Sequence, residues 1–253
     1  MKTATYDHKV SVVIAVFNEA DKIKNCLKSL SNQTYKNTEI ILVDDYSSDE
    51  TVAIIKQKCA ELGLKINIIK LTQHKERGVA RNKGAKEATG DYILFIDADM
   101  KLSKKVVAEC ARLVKNNLDI KAVIIPEESF GEGFWAKCRR LEKQCYAGDD
   151  RIEAARFFCK DSFWKVGGWN NKMISGEDWD LTRRMKSKYK IARIKPLIYH
   201  HEYKLTLWKA MKKKFYYASV SGIYLEKNPL SILTLIFFIF RPAYLRNWRL
   251  IVF

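Results

Sequence analysis

Five short clusters hold most of the residues in this chain that could do chemistry. Asp97-Ala98-Asp99 follows four apolar residues, and two carboxylates one residue apart can hold a hard divalent ion through oxygen. Such an ion bridges a diphosphate and offsets the charge that grows on a leaving phosphate. Taken alone, a pair of this kind is more often a strand end whose acids cap the next helix. Asp44-Asp45 precedes Tyr46-Ser47-Ser48-Asp49-Glu50-Thr51. A carboxylate there can accept a hydrogen bond from a base or ribose, and the same residues also make a capped helix start. Arg77-Gly78-Val79-Ala80-Arg81-Asn82-Lys83-Gly84 combines small residues, which let backbone approach a ligand, with cations for phosphate or base. An amphipathic helix with a basic face reads the same way. Gly176-Glu177-Asp178-Trp179-Asp180 crowds three acids into four residues. That crowding tends to raise at least one pKa, and a carboxylate beside a sugar hydroxyl can act as general base. A dipole-favoured helix start is the plain alternative. In Tyr199-His200-His201-Glu202 adjacent side chains of a strand point to opposite faces, so only one histidine can turn to a site. Imidazole suits Mn2+ better than Mg2+.

The elements that must position these clusters alternate. Residues 9–17, 38–45, 65–71, 91–99 and 121–126 are apolar, β-branched runs that read as buried strands. Helical patterns fill 19–31, the stretch after Ser47 or Ser48 to about 61, 76–88 closed by Gly90, and 104–116 capped by Ser103. Such alternation implies an α/β fold with a Rossmann-like, mainly parallel sheet and helices on both faces. Ligands of such sheets bind outside the carboxyl ends of the strands, where Asn18-Glu19, Asp44-Asp45 and Asp97-Ala98-Asp99 fall. The second half is less regular. Residues 132–147 read as helix, 152–166 as strands or a hairpin, Gly167-Gly168 as a turn, 177–187 as helix, 190–200 as a strand, and 204–226 as a long basic helix.

The 253 residues carry 46 Lys and Arg against 29 Asp and Glu, a net charge of +17. With 47% hydrophobic residues, 11 Gly and 4 Pro, disordered, collagen-like and disulfide-scaffold classes are excluded. So basic a surface fits nucleic acid, anionic headgroups or phosphorylated substrates. Acids on the binding edge of a basic chain point instead to a cation, a ribose or a base. The six cysteines form no C-x-x-C pair and read as reduced thiols of a cytoplasmic protein. MKTATYDHKV has no apolar core of a secretory signal.

In order and spacing, AVFNEAD, ILVDDYSSDET, RGVARNKGAKEATGDYILFIDADM, GGW and SGEDWDL resemble the inverting family 2 glycosyltransferases of the GT-A fold, over roughly residues 9–226. The resemblance implies a catalytic domain over 1–203, with a nucleotide-binding half to about 126 and an acceptor-side half over 127–203. It implies a nucleotide pocket of Ala15, Phe17, Asn18, Glu19, Asp44, Asp45, Gly78, Arg81, Asp97 and Ala98, with Asp45 on the base and Arg81 on the base or diphosphate. It implies Mn2+ or Mg2+ on Asp99, with Asp97 and His200 beside it. Asp178 is the implied base, Glu177 orients the acceptor, and Arg156 and Trp179 lie on the acceptor side. The implied donor is a nucleotide diphosphate sugar, UDP first and GDP next, and the implied acceptor is a hydroxyl of a glycan or lipid-linked sugar. Polyprenyl-phosphate transfer is the alternative; a lipid phosphate, already ionised, needs no base, so Glu177-Asp178 favours a hydroxyl. The family often has Pro at Ala15 and Gly at Tyr46, and LTRRM (181–185) is not the Q-x-x-R-W of processive synthases, so one sugar per encounter is expected.

Residues 204–253 are a basic, aromatic and apolar helical segment. LSILTLIFFIF (230–240) has eleven residues, about 16 Å of helix at 1.5 Å per residue, too short for a bilayer core of about 30 Å. Its basic and aromatic flanks suit a helix lying in the interface, which places the protein peripherally on the cytoplasmic face of an anionic membrane. A tail folded back on the domain is the alternative. Among other functions, a sugar nucleotidyltransferase would open with a Gly-rich loop that AVFNEAD lacks. A non-catalytic membrane or nucleic-acid module leaves the acidic clusters without purpose, and no nucleic-acid partner is expected.

Overall fold

The computed structural model describes residues 8–149, 152–202, 206–220 and 247. A seven-stranded sheet forms its centre, in the order β3-β2-β1-β4-β8-β6-β9. The first half supplies β1 (Val10–Val16), β2 (Thr38–Asp44), β3 (Ile66–Lys70), β4 (Tyr92–Asp97) and β6 (Ile120–Ile124). The second half supplies β8 (Ala155–Cys159) and β9 (Lys190–Arg193). All neighbours run parallel except β8, which lies antiparallel between β4 and β6. The strand expected at 121–126 is therefore parallel to the others but separated from them by a strand of the second half, which no local pattern announces.

Alternation along the strands feeds two cores. Val10, Val12, Ile14 and Val16 pack with α1 (Ile23–Ser31), α2 (Thr51–Leu62) and α4 (Val106–Asn116) through Ile23, Leu27, Ile55, Val106 and Cys110. Val13, Ile41, Val43, Ile93 and Phe95 face α3 (Arg77–Glu87), α6 (Lys160–Lys165) and α7 (Glu177–Lys186) through Ala80, Ala85, Phe163, Leu181 and Met185. Strands buried on both faces leave ligands only their ends. Helix α3 lies directly on the sheet at Gly84, where an added Cβ would stand 2.5 Å from Val13 Cγ1 and 3.1 Å from Val43 Cγ2.

A second, three-stranded sheet, β5-β10-β7, joins β5 (Met100–Leu102), β7 (Glu127–Phe130) and β10 (Ile198–His201). The run expected as one strand over 190–200 is thus two strands in different sheets, β9 and β10, with Pro196 in the break. The expected hairpin over 152–166 is β8 followed by α6, and 132–147 holds α5 (Phe134–Tyr146). Gly167 and Gly168 make the expected turn, with φ of 91° and 63°.

Three expected caps are not caps. Ser103 Oγ accepts the Leu197 N–H at 3.1 Å, tying β10's approach to β5. Ser47 and Ser48 bond to Asn18 and Asp44, and Asp49 Oδ1 takes the Thr51 N–H at 3.0 Å. Gly90 is where the chain passes β1, since a Cβ there would meet Lys9 O at 2.6 Å. Helix α8 (Leu207–Ser219) covers the start of the basic helix expected over 204–226. The apolar run at 230–240 and the residues to 253, Asn247 excepted, lie outside the described residues. No helix among the described residues is long and apolar enough to cross a membrane.

Candidate active site

Two cavities meet at the carboxyl ends of β1, β2 and β4. The first, about 330 Å3, is walled by Ala15, Phe17, Glu19, Asp45, Ala98 and Asp99, with Lys22, His74, Glu76 and Ala80. Phe17 is held out of the core because β1 has ended; it is 41% exposed and stacks on His74 at 4.1 Å between centroids. Asp45, the first residue past β2, is buried; its Oδ1 accepts the Lys75 N–H at 2.7 Å and its Oδ2 lies 3.0 Å from His74 Nδ1. Burial raises its pKa against the pull of Lys75 and His74. Burial likewise raises Glu19 despite its pair with Lys22. An aromatic face beside a buried carboxylate suits a planar base bearing N–H groups.

The second cavity, about 380 Å3, is lined by Glu127, Lys143, Arg156, Glu177, Asp178 and Trp179, among others. Glu177 and Asp178 open α7, behind Gly176 in the left-handed region at φ 77°. Glu177 is pushed up by burial and then by Asp178 beside it. Arg156, on β8, is ion-paired to Glu127 and stands 3.6 Å from Asp97. Burial opposes the charge on both, but Arg156 and Lys143 hold Glu127 well below the carboxylate range, and Glu127, Asp178 and Asp97 raise Arg156. Trp179 donates its indole N–H to Ile152 O at 2.7 Å, leaving its ring as a wall.

Arg77, Asp97 and His200 line both cavities, so the two are neighbouring halves of one site. The pairing of His200 with Met100 across β10 and β5 sets His200 Nε2 3.2 Å from Asp99 Oδ2. Burial would lower the imidazole, but hydrogen bonding to Asp99 and Glu202 pushes it up to about 9. His201 turns away onto Phe130, 4.7 Å between ring centroids. Asp99 Oδ1 is buried without a hydrogen-bond partner. One carboxylate and one imidazole are a donor set that fits Mn2+, completed by substrate phosphates and water as divalent sites of this kind usually are.

Five site residues expected from the sequence are placed differently by the structure. Arg81 does not face a base or diphosphate: it is 1% exposed and walls neither cavity, because Asp97 (2.7 Å), Asp178 (3.2 Å) and the ring of Trp169 (4.5 Å) enclose it. Asp97 is turned to Arg81 and Arg156 instead of joining Asp99 and His200. Burial would raise it, but Arg81, Arg156 and Arg77 hold it far below the usual range. Among the described residues no three His, Cys, Asp or Glu side chains form a metal cluster. Asn18 and Asp44 brace the 44–51 turn in place of lining the pocket: Asn18 Oδ1 accepts the Ser48 N–H at 2.9 Å and Asp44 Oδ1 the Ser47 N–H at 3.2 Å. Gly78 is covered by Asn170, whose carbonyl a Cβ would meet at 3.2 Å. Sequence reasoning missed His74, Glu127 and Lys143. Glu127 had one signal, its place just past Pro126 at a strand end; His74 stands in a loop without pattern.

A pocket and a carboxylate cavity side by side at the carboxyl ends of the strands, on a GT-A-like sheet, set the class of fold. Residues 11–167 match the profile of glycosyl transferase family 2, and the chain belongs to that family. It is 39% identical over 117 residues to the amylovoran biosynthesis glycosyltransferase AmsB of Erwinia amylovora, covering 43% of this chain and 36% of that one. It is 26% identical over 185 residues to an uncharacterized glycosyltransferase of Haemophilus influenzae, covering 70% of this chain and 61% of that one. The chain thus spans about a third to three fifths of these relatives. In fold it is similar to the mannosyltransferase PcManGT of Pyrobaculum calidifontis, solved with GDP-Man and Mn2+ (TM-score 0.67, 18% identity, 88% of this chain and 66% of that one). S. aureus TarS with UDP-GlcNAc is also similar (TM-score 0.63, 18% identity, 80% and 61%).

Proposed function

We propose that this chain is an inverting, metal-dependent glycosyltransferase that moves one sugar from a nucleotide diphosphate sugar to a hydroxyl of a glycan or lipid-linked acceptor. The observation that carries this reading is the shared wall: Asp97, Arg77 and His200 border both the cavity of Asp45 and the cavity of Asp178. The base stacks on Phe17 and donates to Asp45. Asp99 and His200 would hold Mn2+ or Mg2+, which supplies positive charge to the departing diphosphate. Asp178 takes the proton of the acceptor hydroxyl; the acceptor oxygen forms its bond to the anomeric carbon from the opposite face, and the bond to the diphosphate breaks with its electron pair on phosphate. Glu177 orients the acceptor, Trp179 offers it a ring face, and Arg156 with Glu127 fixes the floor. Proteins of similar fold solved with UDP-GlcNAc and with GDP-Man support a nucleotide diphosphate sugar as donor, and we take UDP first and GDP next. A screen of nucleotide sugars with Mn2+, read as a rise in Tm, tests it. One UDP- or GDP-sugar should stabilise the protein only with the metal; stabilisation by none would count against the reading.

We also assign α8 to an anionic membrane surface on the cytoplasmic side. Leu207, Trp208, Met211 and Phe215 recur on one helical face, each 46–78% exposed, while exposed Lys209 and Lys212 lie off that face. This is the pattern of an interfacial helix. Flotation with phosphatidylglycerol vesicles should carry the protein up, and Trp208→Ser with Phe215→Ser should reduce that by about tenfold or more, one such side chain being worth roughly 1.5–3 kcal/mol. Equal flotation of variant and parent would remove the assignment.

A further inference from the structure

The charge at the centre of the molecule raises a question that the two cavities leave open. Arg81 is almost wholly buried, walls neither cavity, and yet meets the carboxylates of both. Its Nη2 donates to Asp97 Oδ1 at 2.7 Å, at the end of β4, while its Nη1 donates to Asp178 Oδ1 at 3.2 Å, in the first turn of α7. Glu177 Oε1 lies 3.6 Å from the same Nη1. The flat face of the guanidinium rests on Trp169, 4.5 Å from the ring centroid.

The platform under it is built by the next residue. Asn82 donates to Trp169 O at 2.8 Å and to Asn171 Oδ1 at 2.7 Å, and accepts the Trp169 N–H at 3.0 Å. Gly78 lets α3 come close to the same loop at Asn170. One turn of α3 therefore ties the loop before α7 to the end of β4, two segments far apart in the chain. Only a planar, two-pronged cation reaches two carboxylates at once while stacking on a ring. Each Nη takes one of the two carboxylates, whereas Arg81 Nε has no hydrogen-bond partner.

We propose that Arg81 is a positioning residue for the transfer reaction: clamped between Asp97 and Asp178, it fixes the base of the acceptor cavity relative to the donor cavity and touches neither substrate. Its hold on Oδ1 leaves Oδ2 of Asp178 to take the acceptor proton. The assignment rests on Asp178 as the base. A contact with the donor is disfavoured by burial. A simple fold-stabilising pair would need only one carboxylate, and would not need the one assigned as base.

The test compares Arg81→Lys and Arg81→Gln with Asp178→Asn, alone and combined. It measures turnover as nucleoside diphosphate release, affinity for UDP and GDP with Mn2+ by calorimetry, and Tm. Lysine keeps the charge and loses the fork, so Arg81→Lys stays folded; its kcat should fall about tenfold or more, and that of Arg81→Gln about 100-fold, the scale of a misplacement near 1 Å. Nucleoside diphosphate affinity should change less than about threefold, as expected for loss of an interaction made only in the transition state. In the Asp178→Asn background Arg81→Lys should cost almost nothing further, because neighbours acting as one unit are not additive. Equal losses in both backgrounds, or a loss of nucleotide affinity that matches the loss of turnover, would overturn the proposal. Near-normal turnover by Asp178→Asn alone would instead remove the base, and with it the proposed function.

Discussion

The two ends of the central sheet each hold partly buried carboxylates and use them oppositely. At the amino end Glu39 accepts hydrogen bonds from Lys9 Nζ (3.0 Å), Ser11 Oγ (2.5 Å), the Thr89 N–H (2.7 Å) and the Gly90 N–H (3.2 Å). At the carboxyl end Asp99 Oδ1 and Arg156 Nη1, on residues that wall the cavities, are buried with no hydrogen-bond partner. Buried polar groups are normally satisfied. A filled knot stitches β1, β2 and the 88–91 turn together, whereas an unfilled one is arranged for something that arrives. The difference teaches that charge density alone does not mark the site; unspent hydrogen-bonding capacity beside a cavity does.

Three substitutions probe the two ends. Asp178→Asn at the carboxyl end should lower kcat by about 10²–10⁴-fold, the usual contribution of a general base, with UDP or GDP affinity nearly intact. Steady-state turnover beside calorimetry separates the two quantities, and a fall in affinity with kcat preserved would reverse the assignment. Asp99→Ala should weaken Mn2+-dependent nucleotide binding by at least about tenfold, since even residues behind metal ligands cost that much; an unchanged metal titration would take Asp99 out of the ligand set. Glu39→Ala at the amino end should cost about 1 kcal/mol of stability, the scale of losing hydrogen bonds among partly buried groups, with kcat per folded molecule unchanged. A loss of turnover without a change in Tm would contradict the division of labour.

The Glu39 knot also has a pH signature. Burial would raise its carboxyl, but Ser11, Thr89 and Lys9 outweigh that and bring it from 4.5 to about 2. A folded-state pKa below the unfolded value gives stability that is full above the unfolded pKa and is lost as pH falls. The difference in Tm between the parent and Glu39→Ala should therefore be constant above about pH 5 and shrink between 4.5 and 2. A gap that widened on acidification would refute this.

Most of the scaffold was legible in the chain because five β-branched runs alternate with helical stripes, and buried strands leave only their ends for ligands. Ala15, Phe17, Glu19, Asp45 and Ala98 could be placed in one cavity from that rule and the family likeness together. Strand β8 could not be placed, since nothing local says that a segment of the second half inserts antiparallel between β4 and β6. Arg81 went wrong for a related reason. Sequence reading gives a cation a partner among expected ligands, whereas its real partners, Asp97 and Asp178, come together only when α7 docks. Asn18 and Asp44 carry the residue types of a polar pocket and are consumed by the turn at 44–51. Strand register with Met100, a long-range fact, puts His200 and not His201 beside Asp99.

The central claim is that Asp45, Asp99 and Asp178 serve one donor-activating site. Crystals grown with Mn2+ and UDP or GDP test it most directly, by anomalous scattering from the metal. The account predicts a manganese peak bonded to Asp99 and His200 and to the diphosphate, the base against Phe17 and Asp45, and Asp178 across the shared wall. A peak bound elsewhere, or a base seated away from Asp45, would contradict it.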